Sequence, residues 1–258
     1  MPHDLTSLDH LDQEELWDAR AAASYDTPGT GMEAPDVLGP TVDRLADLAE
    51  GGPALELAVG TGRVAIPLAQ RGIAVTGIEI SRHMIARLRE KVSDADLPVV
   101  QGDMASTRAP GEFSLVYLVF NTIGNLLTQD AQVECFRNAA AHLRPGGRFV
   151  IELWVPQLQQ GAPGVPALVG AVEDGYLLVD TLDTATQRLM SHHVRFGEGR
   201  SATVGRSPHR YVWPSELDLM ARLAGMELES RHADWRGAPF TSESGSHVSV
   251  YRKPARDQ

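Results

Sequence analysis

From residue 54 onward, apolar side chains fall into short unbroken runs, separated by stretches in which they recur every third or fourth position. Short apolar runs read as buried strands, and the recurring pattern reads as amphipathic helix. The alternation of the two predicts an α/β fold, a parallel sheet with crossover helices. Strands are expected at residues 54–59, 74–79, 99–101, 114–120 and 148–153, and helices at 63–71, 81–91 and 130–142. Ser81, and Thr128 or Asp130, are placed to cap the last two helices. Pro145, Gly146 and Gly147 break the third helix before the fifth strand.

The flanks read differently. Residues 13–23 carry a helical pattern, residues 28–40 a Pro/Gly break, and residues 41–50 a second helix stopped by Gly51, Gly52 and Pro53. After Pro156 the chain turns rich in Gly, Pro and Gln, then alternates apolar and polar around 176–182, 188–196 and 201–212, as antiparallel strands do. Pro214 and Ser215 open another helix through Ala224, Gly225 ends it, and final strands fit 227–233 and 247–252. The expected architecture is a doubly wound, seven-strand, mostly parallel sheet. It divides into an N-terminal helical lid (1–52), a core (53–160), an antiparallel β cap (165–212) and a C-terminal return to the core (213–258).

Composition narrows the partners. With 258 residues, 43% hydrophobic and 22% charged, the chain has the make-up of a globular protein with a full core. Its net charge of -11 and lack of a Lys/Arg cluster argue against nucleic acid. No stretch is long and apolar enough to span a membrane. Residues 1–10, with Asp4 and Asp9, lack the charged start and apolar centre of a signal peptide, so a cytoplasmic protein is expected. The lone Cys135 sits in an amphipathic stretch and reads as core. Exposed cap strands would suit a homodimer.

The strongest chemical signal is Leu55-Glu56-Leu57-Ala58-Val59-Gly60-Thr61-Gly62-Arg63, a buried strand entering a glycine turn at the carboxyl end of the sheet, where open α/β folds bind ligands. Gly60 to Ala65 also fits a dinucleotide fingerprint, which keeps an NAD-dependent oxidoreductase as an alternative. Glu56 within the strand, Asp103 after the third strand, and Arg144-Pro145-Gly146-Gly147 before the fifth complete a set that resembles the class I S-adenosylmethionine-dependent methyltransferases. The layout is similar to small-molecule members whose core carries an antiparallel insertion, such as sugar N-methyltransferases and glycine N-methyltransferase-like enzymes. The resemblance runs from Tyr25 through the final strand.

That resemblance implies S-adenosyl-L-methionine as cofactor and assigns roles. Glu56 with Ala58, Gly60, Gly62 and Arg63 would hold the methionine end, and Glu79 the ribose hydroxyls. Asp103 would pair with the adenine amino group between Ile80 and Met104, and Tyr25 would lid the cofactor. Phe120 lies where family members approach the sulfonium, and Asn121 and Asn125 could orient a nucleophile.

On the acceptor side, His192, His193, His209, His232 and His247 crowd the C-terminal third. An imidazole there can take a proton near neutral pH. His193, His209, Tyr211 and Asn121 are the catalytic candidates. No metal site is expected, since adjacent His192 and His193 point to opposite faces of a strand. The expected reaction is direct in-line methyl transfer to O, N or C of a small molecule, with a non-catalytic cofactor-binding protein as a further alternative.

Overall fold

The computed structural model describes residues 13–156, 167–197, 199 and 201–255. The N-terminal residues with Asp4 and Asp9, and the first two residues of the expected cap, lie outside them.

Among the described residues, seven strands form one sheet in the order β10-β11-β5-β4-β1-β2-β3. Its parallel part comprises β1 (Ala54–Leu57), β2 (Val75–Glu79), β3 (Val99–Gln101), β4 (Phe113–Leu118) and β5 (Leu143–Trp154). The last two strands, β10 (Glu227–His232) and β11 (Ser246–Arg252), run antiparallel beside β5. Chain order reverses between β1 and β4, so their loops splay apart and open a crevice at the carboxyl ends.

Side chains alternate across this sheet. Leu55, Leu57, Val116 and Phe149 pack on one face, under α6 (Gln129–His142) and α7 (Pro214–Leu223). Ala54, Leu115, Tyr117 and Val150 pack on the other, under α3 (Pro35–Ala49) and α4 (Ala65–Gln70). Ser81 caps α5 (Arg82–Arg89) through Met84 N–H at 3.2 Å, and Thr128 caps α6 through Ala131 N–H at 3.1 Å, as expected.

Three expectations about elements are corrected. Residues 13–23 form two short helices, α1 (Gln13–Leu16) and α2 (Ala19–Ala23), because Asp18 accepts from Ala21 N–H and restarts the helix. The expected break at 28–40 gives way to α3 from residue 35. Pro35 begins the helix, where no N–H is needed, and Pro40 sits inside it. The carbonyl that Pro40 leaves without an intrahelical donor, that of Asp36, accepts instead from Arg236 Nη2 at 2.7 Å. Finally, the Pro-Gly-Gly segment belongs to an irregular start of β5. Helix α6 ends at His142, and Gly146 N–H donates to Lys253 O at 2.9 Å.

A separate four-stranded antiparallel sheet follows, in the order β6-β7-β8-β9: β6 (Ala167–Glu173), β7 (Tyr176–Asp183), β8 (Arg188–Phe196) and β9 (Ala202–Arg210). Strand β6 adds to the three expected. The inward positions of β7 and β8, Leu178, Asp180, Leu189, Ser191 and His193, face the crevice. Val169, Val172 and Val204 are exposed on the other side.

Candidate active site

A cavity of about 440 Å³ lies between the carboxyl ends of the core strands, the N-terminal segment and the cap. Its floor starts at the glycine turn. Ala58 and Gly60 take left-handed backbone, at φ 55 and 57, and a Cβ at Gly60 would meet nothing within 4 Å, so the bare backbone opens onto the space. Val59 seats the turn against β2, where a Cβ at Gly77 would lie 2.6 Å from it.

Glu79 ends β2 buried beside that turn. Its Oε2 accepts from Gly60 N–H and its Oε1 from Ser81 N–H, both at 2.8 Å. Burial raises its pKa against the pull of these backbone donors. Each oxygen keeps a second lone pair, and the residue lines the cavity. Asp103 lines it too, with Oδ1 fixed by Ala105 N–H at 2.8 Å, between Ile80 and Met104.

Glu56 lies behind the turn, 3% exposed. Burial pushes its pKa up to about 8, although Tyr117 donates its hydroxyl to Oε2 at 2.9 Å and the Ala65 backbone and the Arg63 charge favour the carboxylate. An acid held at that cost without a full counter-charge suits an incoming ammonium group. Glu56, Gly62 and Arg63 do not line the cavity: Gly62 faces Ile66 and Leu88, and Arg63 reaches the Met32 carbonyl at 3.3 Å while lying 5.3 Å over the Phe120 ring.

The N-terminal segment closes one side. Tyr25 and Trp17, edge to face at 5.7 Å, both line the cavity, and Ser81 Oγ donates to Trp17 O at 2.5 Å. The segment is latched onto the glycine turn itself. Thr61 Oγ1 donates to Asp26 Oδ1 at 2.5 Å, and Lys91 Nζ holds Asp26 Oδ2 at 2.7 Å and Thr61 O at 3.0 Å.

Beyond β4 the chain turns through Phe120 and Asn121, at φ 58 and 60. Glu152 of β5 holds this strained pair: Oε2 accepts from Phe120 N–H at 2.9 Å, and Oε1 from Trp235 Nε1–H at 2.8 Å. Asn121 Oδ1 accepts from Trp154 N–H at 2.6 Å. The amide that remains is a donor, so Asn121 can orient an acceptor but takes no proton from it.

The cap forms the roof. His193 and His209 line the cavity and are joined through Ser207 Oγ, at 3.0 and 3.2 Å. Burial lowers both imidazole pKa values, that of His209 to about 4, so His209 is neutral near pH 7. Asp180, with Ser191 Oγ donating to it at 2.7 Å, supplies the roof's carboxylate. Tyr211 lines the wall, buried, with its hydroxyl pKa raised.

The other three histidines of the C-terminal third lie away from the cavity. His192 bonds Thr181 on the cap's other face at 3.2 Å, and His247 is buried in β11, with Nδ1 2.9 Å from Ser249 Oγ. His232 lies in β10, outside the cavity lining.

Several lining residues escaped the sequence reading: Trp17, Trp154, Asp180, Ser191 and Arg210. Arg210 is buried where β9 leaves the cap. Its guanidinium reaches Gln132 Oε1 at 2.5 Å, Gln187 Oε1 at 3.1 Å and Glu216 Oε1 at 2.7 Å, tying cap to α6 and α7. Glu152 had a readable signal, an acid inside the apolar run Phe149-Val150-Ile151-Glu152-Leu153.

A doubly wound sheet with a glycine turn, paired acids after β2 and β3 and an antiparallel roof is the architecture of a Rossmann-like methyltransferase. Residues 54–147 match the methyltransferase domain family. The CcbJ methyltransferase from Streptomyces caelestis is 37% identical in sequence and superposes with a TM-score of 0.83, over 95% of this chain and 100% of that one. The cypemycin N-terminal methyltransferase of a Streptomyces species is 27% identical over 94% of this chain and 100% of its own length. A dTDP-3-amino-3,6-dideoxy-alpha-D-glucopyranose N,N-dimethyltransferase of Streptomyces fradiae is 34% identical over 60% of this chain and 62% of the relative. This chain belongs to the class I S-adenosylmethionine-dependent methyltransferases, and the NAD-dependent alternative finds no support. Among the described residues no helix is long and apolar enough to cross a membrane.

Proposed function

We propose that this enzyme methylates an amine nitrogen of a small-molecule acceptor held between the core crevice and the cap. The carrying observation is the roof's chemistry: a carboxylate, Asp180, and the imidazoles of His193 and His209, set among Leu178, Leu189 and Trp154. A carboxylate attracts an ammonium group, a neutral imidazole accepts a proton from it, and apolar walls exclude water. Two relatives whose names specify an N-terminal and an amino-sugar nitrogen support the same choice.

When bound, S-adenosylmethionine supplies an electrophilic methyl group on a sulfonium centre. The chain's own residues do the rest. Ala58 and Gly60 would hold the methionine end at the cavity, with Gly62 shaping the turn and the Glu56 carboxylate attracting the ammonium from behind it. Glu79 would accept from the ribose hydroxyls through its free lone pairs, and Asp103, with Ile80 and Met104 beside it, would hold the adenine end. Tyr25 covers the cofactor, Arg63 with Phe120 and Asn121 shapes the place of transfer, and Tyr211 walls the acceptor. The gain comes from orientation and exclusion of water.

The test incubates enzyme and S-adenosylmethionine with three probes: an amino-sugar nucleotide, a peptide with a free N-terminus, and the hydroxyl analogue of the sugar. Mass spectrometry is expected to find one methylene gained on an amine probe. Modification of the hydroxyl analogue alone would overturn the choice of nitrogen. Nucleic acid does not fit this acidic chain. The buried lone Cys135 favours the cytoplasm, which cell fractionation checks. Pairing of two copies through the cap's outer face, where Val169, Val172 and Val204 are exposed, is checked by sedimentation.

A further inference from the structure

The cap's inward face carries four side chains in one unbroken hydrogen-bonded row. His209 Nε2 lies 3.2 Å from Ser207 Oγ, that hydroxyl lies 3.0 Å from His193 Nε2, and His193 Nδ1 lies 2.7 Å from the Tyr176 hydroxyl. Every member can donate one proton and accept another, which a relay needs. The inner end faces the place of transfer: a Cβ on Gly124, which follows the Phe120–Asn121 turn, would lie 3.8 Å from His209 Nδ1. Among the described residues that nitrogen has no hydrogen-bond partner. The outer end, Tyr176, is half-buried at the start of β7, with the Arg195 guanidinium 5.5 Å from its ring centre.

We propose that His209, Ser207, His193 and Tyr176 form a proton exit path, through which an amine acceptor bound under the cap loses its proton to water. The inference rests on the amine reading above. The acceptor N–H bond breaks as Nδ1–H forms on His209. The His209 Nε2 proton passes to Ser207 Oγ, the serine's own proton to His193 Nε2, the His193 Nδ1 proton to Tyr176, and the phenol proton to water. Each group ends with as many protons as it began, and the acceptor keeps the lone pair that attacks the methyl group. His209 is the catalytic residue here, and the other three are positioning residues that empty it.

Burial keeps His209 from holding the proton as a stable imidazolium at neutral pH, so the proton moves on. The charges acting on His193 are Asp180 from β7, which favours protonation, and Arg195 and His192 from its own strand, which oppose it. His193 in turn opposes protonation of His209.

The row accepts a proton from the cavity only in one sense, with hydrogen on Nε2 of His209 and on Nδ1 of His193. Nitrogen-15 NMR of the histidine-labelled full chain with S-adenosylhomocysteine reads both tautomers. The stated pair is expected, and hydrogen on Nδ1 of His209 overturns the path. This holds even if no amine probe is methylated, so the two proposals fail separately.

With an amine probe that is methylated, Ser207→Ala and Tyr176→Phe should each lower kcat at neutral pH by about tenfold or more. The rate should recover at alkaline pH, where the amine arrives deprotonated, with KM nearly unchanged. A pH profile parallel to wild type, or an equal loss at every pH in a variant of normal melting temperature, overturns the path.

Discussion

The floor and the roof of the cavity are built by different rules. On the floor, acids are pinned by backbone: Glu79 by Gly60 and Ser81, Asp103 by Ala105, each within a few residues of a strand end. On the roof, side chains hold side chains across strands, as in Asp180 with Ser191 and His193 with Tyr176 and Ser207. A backbone-pinned acid survives changes in most neighbouring side chains, so the floor suits a ligand that stays the same. A mesh of side chains is rewritten by single substitutions, so the roof suits a ligand that differs among relatives.

The largest expected break is removal of the roof. Replacing residues 167–205 with a short Gly/Ser linker should abolish methyl transfer to the amine probes and leave S-adenosylhomocysteine affinity, measured by calorimetry, nearly intact. The cut stops there because Arg210, Tyr211 and Val212 are buried against the core. Transfer at a comparable rate by a soluble deletion would show that the roof selects nothing.

The joint between the two regions comes next. Arg210→Met leaves Glu216 without its buried cation, and urea titration should show a loss of about 3–5 kcal/mol. The Glu216 carboxyl is held below its usual range by Gln187, Arg210 and Gln129 against the opposing cost of its burial. Its contribution is present above the ordinary Glu pKa and lost as pH falls through the depressed one, so wild type and variant should converge in acid.

A sharper test of the floor uses Glu56. Its folded pKa is raised, so its protonated form stabilises the fold most fully below the ordinary Glu value, an advantage lost as pH rises through about 8. Near pH 7 the resting carboxyl is largely protonated, and a cofactor ammonium should expel that proton. Binding heats in buffers of different ionisation enthalpy should reveal the release. Glu56→Gln should abolish it and weaken binding by about 1.5–3 kcal/mol. Equal heats in every buffer would detach Glu56 from the cofactor.

The smallest effect belongs to the latch. Asp26→Asn removes a partly exposed ion pair with Lys91, worth about 0.2–1 kcal/mol. Stopped-flow dissociation of S-adenosylhomocysteine should quicken by a few-fold at most, with the melting temperature almost unchanged.

The same contrast explains what could be read from the chain. The core elements were legible because their signals are local: an apolar run for β1, Ser81 before α5, Thr128 before α6. Strand β6 was not, because Ala167-Leu168-Val169-Gly170-Ala171-Val172 is an edge strand of small residues with a bulge, and lacks clean alternation. Helix α3 was misread because the donor that tolerates Pro40 comes from distant Arg236. In the site, Glu79, Asp103 and the glycine turn announced themselves by order along the strands. Asp180 and Ser191 gave no such sign, since only the β7–β8 register sets them side by side.

The neighbours Trp235 and Arg236 hold two distant parts at once: Trp235 grips Glu152, which carries the Phe120 turn, and Arg236 grips the open carbonyl of α3. The loop between β10 and β11 thus serves as a jig. It sets α3 against the Phe120–Asn121 turn, so an insertion between Trp235 and Arg236 would throw both out of alignment without touching either.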